Sequence, residues 1–111
     1  MRVEVELCQF MPVPGNPEKN AARIGSRLRE GDADVYVFPE MYLTGYGHPC
    51  DSLDERVEMC IGEISDLCRM TDRAVAVGTP RFESDLVYNS LAFLSPDGDF
   101  WYDKAHPAGF G

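Results

Sequence analysis

The sequence predicts an α/β fold in which two strand–helix units are followed by antiparallel hairpins. Two segments show the apolar periodicity of amphipathic helices. Apolar runs of strand composition lie before the first helix, between the two helices and after the second. Two further apolar runs follow, separated by turn residues. Strand–helix–strand order implies parallel pairing, whereas short turns between strands imply antiparallel pairing. We expect about five strands, two helices and one domain, since 111 residues support a single core.

The first unit is predicted to contain a strand over residues 3–10 and a helix from Pro17 to about Glu30. Apolar and acidic side chains alternate in the strand, so we expect it to be half-buried. Asn16 is suited to cap the helix, because its side-chain oxygen accepts from free backbone N–H groups. Gly31 is expected to end the helix in left-handed geometry. The apolar stripe of the helix consists of Ala21, Ile24 and Leu28.

The second unit is predicted to contain a strand at 35–38 and a helix over about 51–71. The strand is apolar at every position, which is typical of a central strand covered on both faces. Pro39 ends its hydrogen-bonding ladder, because proline lacks the N–H group. The helix begins with the capping-box sequence at 52–55 and continues with apolar residues at helical spacing.

The last third of the chain is predicted to form a meander of strands. The apolar runs 73–79 and 86–94 have strand composition, and an aromatic strand follows at 100–102. The turn sequence 96–98 separates the last two.

The composition is that of a folded globular protein with an acidic excess. Apolar residues make up 44% and charged residues 26% of the chain, and 19 acidic against 10 basic residues give a net charge of -9. This charge repels phosphate backbones and anionic lipids, so we expect no nucleic-acid partner and no membrane partner. The sequence has no basic, apolar leader and no apolar run of ~18 residues. We therefore expect a cytoplasmic protein.

The cysteines do not predict a disulfide framework or a metal site. Their spacing contains no CxxC pair, and no export signal accompanies them, so we expect reduced thiols. Adding the two histidines gives only irregular separations. No glycine-rich loop suited to phosphate is present, so we expect no metal and no cofactor. The residues concerned are Cys8, Cys50, Cys60, Cys68, His48 and His106.

Glu40 is the first candidate catalytic residue. It follows the buried strand 35–38 directly, and α/β proteins bind ligands at the C-terminal ends of such strands. Partial desolvation by Phe38, Met41 and neighbouring tyrosines would raise its pKa into a range useful for proton transfer. The alternative is a solvated loop acid without a catalytic role.

Lys104 is the second candidate. It follows the aromatic strand 100–102, so its ammonium group could reach the same end of the sheet as Glu40. The alternative is a solvated charge on an edge strand, where lysine discourages pairing with other chains. His106, beside Pro107, is interpreted as a loop residue.

Together these segments resemble the nitrilase superfamily of carbon-nitrogen hydrolases. In that family a Phe-Pro-Glu at the end of the second strand carries a general base, and a Tyr-x-Lys-x-His carries a lysine; this chain has both patterns, at 38–40 and 102–106. The likeness covers nearly the whole chain. Its other members are Gln9, Gly15, Asn16, Asn20, the segment 43–46, the segment 88–90 and the turn 96–98.

The resemblance implies acyl transfer, in which a cysteine thiolate attacks an amide or nitrile carbon. Glu40 would then be the general base, and Lys104 would stabilise the tetrahedral intermediate. Tyr42 and Tyr46 would contact the substrate. No cysteine of this chain matches the nucleophile of the family, which is expected some tens of residues after Lys104. Cys50 is the nearest substitute, but neighbouring side chains on an extended loop point apart, so His48 is not expected to activate it.

The family fold is a four-layer α-β-β-α sandwich, and residues 1–111 would form its first half, ending before the nucleophile. An apolar face of the sheet would then lie uncovered, which favours association. We therefore expect a homo-oligomer, and we expect the chain alone not to turn over substrate. The substrate would be a small amide or nitrile, bound once a C-terminal half completes the site.

Two other functions remain open. The chain could be a non-catalytic half-domain that pairs with a second chain or with itself, in which case a stable monomer would be unexpected. It could also be a small α/β module that binds a ligand at the strand ends without chemistry. That function requires ligand affinity in this chain alone.

Overall fold

The fold is a five-stranded mixed sheet with two helices on one face. The computed structural model describes residues 2–46, 53–84 and 86–103, together with the backbone of 104–108. The elements are β1 (Val5–Leu7), α1 (Pro17–Glu30), β2 (Val35–Val37), α2 (Leu53–Thr71), β3 (Ala74–Glu83), β4 (Leu86–Ser95) and β5 (Gly98–Ala108). The strand order is β1-β2-β3-β4-β5, with β1, β2 and β3 parallel and the other pairs antiparallel. The predicted fold class, with five strands and two helices, is confirmed.

Both helices pack on the same face of the sheet and bury the strand side chains that point to that face. Tyr36 on β2 and Val75 on β3 are paired neighbours, and neither is exposed to solvent. The predicted stripe of α1 is confirmed by Ile24 and Leu28, which are also fully buried. The core that they form also contains Phe38, Tyr42, Leu43, Val57, Cys60, Ile64, Cys68, Val77, Ala92 and Leu94.

The ends of α1 are determined by one predicted and one unpredicted contact. The Asn16 side chain accepts a hydrogen bond from the backbone N–H of Lys19 at 3.1 Å, as expected of an N-cap. Gly31, however, has extended geometry (φ -82, ψ 170), so the predicted left-handed ending is wrong. Glycine is needed at position 31 for a different reason, because a Cβ there would lie 2.1 Å from the Tyr36 hydroxyl oxygen.

The first strand is shorter than predicted, and its apolar side chains do not face the helices. Val5 and Leu7 are exposed, whereas Glu6 points to α1 and forms an ion pair with Arg27 at 2.8 Å. Alternation in the sequence indicated two different faces correctly. The face that α1 covers depends on how the chain connects β1 to α1, and the alternating pattern does not contain this information.

The sheet face opposite the helices carries exposed apolar side chains, and we call it the open face. Its members are Val5, Leu7, Leu91, Phe100 and Tyr102. They are between 42% and 69% exposed, although each lies on a regular strand. Within the described residues this face is therefore not covered, as the resemblance implied.

The last strand is longer than predicted and contains an irregularity. Asp103 pairs with Ser90, but Pro107 pairs with Tyr88, so the three residues 104–106 lie opposite Asn89 alone. This is a β-bulge, a feature found often beside active sites. The segment around His106, interpreted from the sequence as a loop, therefore belongs to β5.

Candidate active site

The Glu40 loop, residues 39–46, is bound closely to β3 at Gly78. The N–H of Gly78 donates to the carbonyl oxygen of Pro39 at 3.2 Å, and the N–H of Leu43 donates to the carbonyl oxygen of Gly78 at 3.1 Å. A Cβ at Gly78 would lie 2.4 Å from the nitrogen of Met41 and 2.5 Å from the Cα of Glu40. Only glycine allows the backbone of this loop to approach the strand so closely.

The same loop has an unusual backbone. Met41 has φ 53, a left-handed conformation that is uncommon outside glycine, and Gly45 has φ 71. Hydrogen bonds fix this shape, from the N–H of Tyr42 to the oxygen of Pro39 at 3.1 Å and from the N–H of Gly45 to the oxygen of Met41 at 2.7 Å. Conformations of this kind are found often at functional sites.

Glu40 is exposed, and the hydroxyl of Tyr46 donates a hydrogen bond to its carboxylate. The predicted desolvation of Glu40 by its aromatic neighbours is therefore wrong for the described chain. Phe38 and Tyr42 are instead 2% and 1% exposed and pack on each other in the core, with ring centroids 5.0 Å apart. Burial raises the pKa of Tyr42. Of the two tyrosines expected at the site, Tyr46 contacts Glu40, whereas the side chain of Tyr42 packs on Phe38 in the core.

The backbone of residue 104 lies at the same end of the sheet as the Glu40 loop. Thr79 on β3 pairs with Ser90, which pairs with Asp103. Gly78, which binds the Glu40 loop, directly precedes Thr79. Two strand spacings, about 10 Å, separate β3 from β5 at this level. The side chain of Lys104 lies outside the described residues, and so does the segment containing His48 and Cys50.

An ion-pair network that sequence reasoning missed fixes β5 just before residue 104. Arg81 binds the Asp103 carboxylate through Nε at 2.9 Å and Nη2 at 2.6 Å, and the Ser90 hydroxyl also donates to it. The guanidinium of Arg81 holds the pKa of Asp103 below its usual range. The Arg81 group also lies 4.6 Å from the ring centre of Tyr88. The only sequence signal for this network was the presence of opposite charges on two of the three hairpin strands.

The cysteines that the structure describes are buried and unreactive. Burial raises the pKa of Cys8 to about 12 and the pKa values of Cys60 and Cys68 to about 11. These thiols are protonated near neutral pH, so none of the three has the character of a nucleophile. All three are free thiols, as the spacing predicted.

Across the described residues, His, Cys, Asp and Glu side chains do not gather in groups of three or more that could hold a metal ion. Neither of the two described helices is both long and apolar enough to cross a membrane.

Comparison with known proteins determines the family. The family profile described as carbon-nitrogen hydrolase matches residues 5–110, almost the whole chain. This chain belongs to the carbon-nitrogen hydrolase family. The predicted membership of the nitrilase superfamily is thereby confirmed.

Relatives of this carbon-nitrogen hydrolase chain include a nitrilase and an amidase. This chain is 27% identical over 114 residues to a nitrilase of Pyrococcus abyssi, a match that covers 94% of this chain and 44% of the relative. It is 28% identical over 110 residues to an (R)-stereoselective amidase of a Pseudomonas species, covering 94% of this chain and 40% of the relative. The chain thus spans less than half the length of either relative.

A solved structure of the family shows the same fold. A cysteine-to-alanine mutant of the amidase from Nesterenkonia sp. AN1, in complex with butyramide, superposes with a TM-score of 0.77 at 18% sequence identity. The match covers 96% of this chain and 44% of that structure. At this level of identity the likeness concerns the fold.

Proposed function

We propose that this chain supplies two of the three catalytic residues of a carbon-nitrogen hydrolase, Glu40 as general base and Lys104 as stabiliser of the tetrahedral intermediate. The observation that carries the proposal is the Glu40 loop, which follows β2 and is hydrogen-bonded to Gly78 of β3, in the same sheet as a bulged β5. The family match over residues 5–110 supports it. The cysteine nucleophile would come from sequence outside these 111 residues, so residues 1–111 would be the N-terminal part of one catalytic domain.

The reaction would proceed in two steps, and the first forms an acyl-enzyme. The thiol gives its proton to Glu40, and its sulfur forms a bond to the amide carbon while the carbonyl electrons move to oxygen. The ammonium group of Lys104 would stabilise the developing negative charge. Glu40 then donates the proton to the leaving nitrogen, the C–N bond breaks, and ammonia departs.

The second step hydrolyses the thioester. Glu40 takes a proton from water as the water oxygen attacks the acyl carbon. The C–S bond then breaks, the sulfur recovers the proton from Glu40, and the carboxylic acid is released. The exposure of Glu40 fits this step, because water must reach the carboxylate.

The substrate class follows from the relatives only as a proposal. The names of the relatives, nitrilase and amidase, and the butyramide bound in the Nesterenkonia structure favour a small amide or nitrile. Tyr46 is 63% exposed and bound to Glu40, which supports a role for it in contacting such a substrate. A homo-oligomer stays a prediction.

The test is ammonia release from butyramide by the protein that contains these residues together with a downstream cysteine. We expect Glu40→Gln and Lys104→Ala each to lower kcat/KM by at least about 100-fold, the usual contribution of such groups. Matched controls are Glu58→Gln on the exposed side of α2 and Lys19→Ala on α1, which should keep full activity. Activity that survives in Glu40→Gln or Lys104→Ala would refute the assigned role.

A second candidate is a non-catalytic half-domain that pairs with another chain through the open face. The exposed Leu7, Phe100 and Tyr102 on regular strands favour it. Both candidates require the open face to be covered, and they differ in turnover. A completed protein that binds a partner but releases no ammonia would support the second candidate.

A further inference from the structure

Asn20 is a polar residue buried inside the helix layer, and its amide group binds two loops at once. It is 2% exposed and lies on α1. Its side-chain oxygen accepts from the N–H of Val13 at 2.8 Å, and its nitrogen donates to the carbonyl oxygens of Val13 at 3.0 Å and Leu43 at 2.9 Å. Both N–H groups of the amide are used. Asparagine is a poor helix former, and an apolar residue here would leave the backbone groups of Val13 and Leu43 without these hydrogen bonds.

The two loops that Asn20 joins also contact each other. The N–H of Gly15 donates to the carbonyl oxygen of Thr44 at 2.7 Å. Gly45 packs so closely that a Cβ on it would lie 3.2 Å from the Cα of Pro14. The segment after β1 and the Glu40 loop therefore form one connected unit on the N-terminal part of α1.

Leu43 is consequently bound from two sides. Its N–H donates to Gly78 on β3, and its carbonyl oxygen accepts from Asn20 on α1. Leu43 stands three positions after Glu40 and three before Tyr46, the two residues whose side chains meet. The two hydrogen bonds of Leu43 therefore restrict the backbone midway between Glu40 and Tyr46.

We propose that Asn20 is a positioning residue for the Glu40–Tyr46 pair. It acts through Leu43 and does not touch the reacting atoms. The importance of this pair rests on the proposed function, in which Glu40 is the general base. The contacts themselves are independent of that function, so they are tested on the 111-residue chain.

The test compares Asn20→Ala with Asn16→Ala, the same substitution four residues earlier. Asn16 caps α1 through Lys19, and among the described residues its side chain makes no hydrogen bond to the Glu40 loop, so its loss weakens the helix without releasing Leu43. Two quantities are measured by NMR: the titration of the Glu40 side-chain carboxyl, and hydrogen exchange at the amides of Gly15 and Leu43. Tyr46→Phe provides the reference for a broken Glu40–Tyr46 contact.

We expect Asn20→Ala to shift the Glu40 titration in the same direction as Tyr46→Phe, and Asn16→Ala to leave it unchanged. We also expect exchange at Gly15 and Leu43 to become about tenfold faster than global stability explains, which corresponds to one lost hydrogen bond. An unchanged Glu40 titration in Asn20→Ala, or an equal shift in Asn16→Ala, would overturn the proposal. If Asn20→Ala does not fold, Asn20→Ser, a milder change, is measured by the same criteria.

The two proposals fail in different ways. If Glu40→Gln keeps its activity in the completed enzyme, the proposed function is refuted, whether or not Asn20 holds the Glu40 loop in position. If Glu40→Gln abolishes activity but Asn20→Ala leaves the Glu40 titration unchanged, the positioning role fails alone.

Discussion

At the scale of single residues, Gly78 is a position where the surrounding backbone leaves no room for a side chain. The backbone of the Glu40 loop occupies the place where its Cβ would lie, with atoms of Met41, Glu40 and Pro39 within 2.5 Å. These atoms belong to backbone that is hydrogen-bonded to Gly78 itself, so they have little freedom to move. The close approach brings the backbone of the candidate base against the middle of β3.

Gly78→Ala is therefore predicted to lower the free energy of unfolding by about 1–3 kcal/mol, the usual cost of overpacking. The matched control is Gly62→Ala on the exposed side of α2, where a Cβ would meet nothing within 4 Å. Because alanine favours helices over glycine, the control should raise the free energy of unfolding by about 0.5–1 kcal/mol. Urea denaturation measures both. Equal stability of Gly78→Ala and the original chain would mean that the Glu40 loop is not held against β3.

The residues of the candidate site were predictable to different degrees. Glu40 was found because Pro39 ends a buried strand, which is a local signal. Its exposure was not predicted, since Phe38 and Tyr42 turn into the core and not toward the carboxylate. Asn20 stood out only through the family resemblance, because its bonds to Val13 and Leu43 join segments far apart in sequence.

At the scale of elements, three arginine–carboxylate pairs connect helices and strands. Glu6–Arg27 joins β1 to α1, Glu18–Arg56 joins α1 to α2, and Arg81–Asp103 joins β3 to β5. In each pair the hydrogen bond from arginine is the largest cause of a lowered carboxyl pKa. The arginines stay charged at all pH values considered, so the carboxylates alone titrate.

These pairs predict how stability depends on pH. A carboxyl whose pKa is lower in the folded than in the unfolded chain stabilises the fold above its unfolded pKa, here 4.5 for Glu and 3.8 for Asp. That contribution is lost as the pH falls through the folded pKa. We expect the urea midpoint to stay level from neutral pH down to about pH 5 and to fall below it. Asp103→Asn should weaken this dependence, and Asp97→Asn in the exposed turn should not. A midpoint that rises on acidification would contradict the assignment.

The helices were easier to predict than the strands, for a physical reason. The bounds of α1 follow from Asn16, Pro17 and a 3.6-residue period, which are all local. The length of β5 and its bulge depend on pairing with β4, so the sequence 100–102 indicated only the aromatic part of that strand. Likewise β1 pairs over only Val5–Leu7, because its partner β2 has three residues in the ladder.

At the scale of the whole molecule, the helices cover only one of the two faces of the sheet. The open face presents Val5 and Leu7 at one edge and Leu91, Phe100 and Tyr102 toward the other. Contiguous apolar surface of this kind is uncommon on soluble monomers and marks a contact surface. The relatives are more than twice as long as this chain, and the same fold occupies 44% of the Nesterenkonia amidase structure.

The 111-residue chain by itself is therefore predicted to associate through the open face. Sedimentation velocity should show a mass above 12.4 kDa that increases with concentration. Phe100→Lys should shift the distribution toward the monomer, because a charged group on this face would be buried in the contact at a high cost. Met59→Lys is the control, since Met59 is equally exposed, at 69% against 65%, but lies on α2 away from the open face. If both variants associate like the original chain, the contact lies elsewhere. If the original chain is a monomer at all concentrations, the open face tolerates water, and a covering half is not needed for solubility.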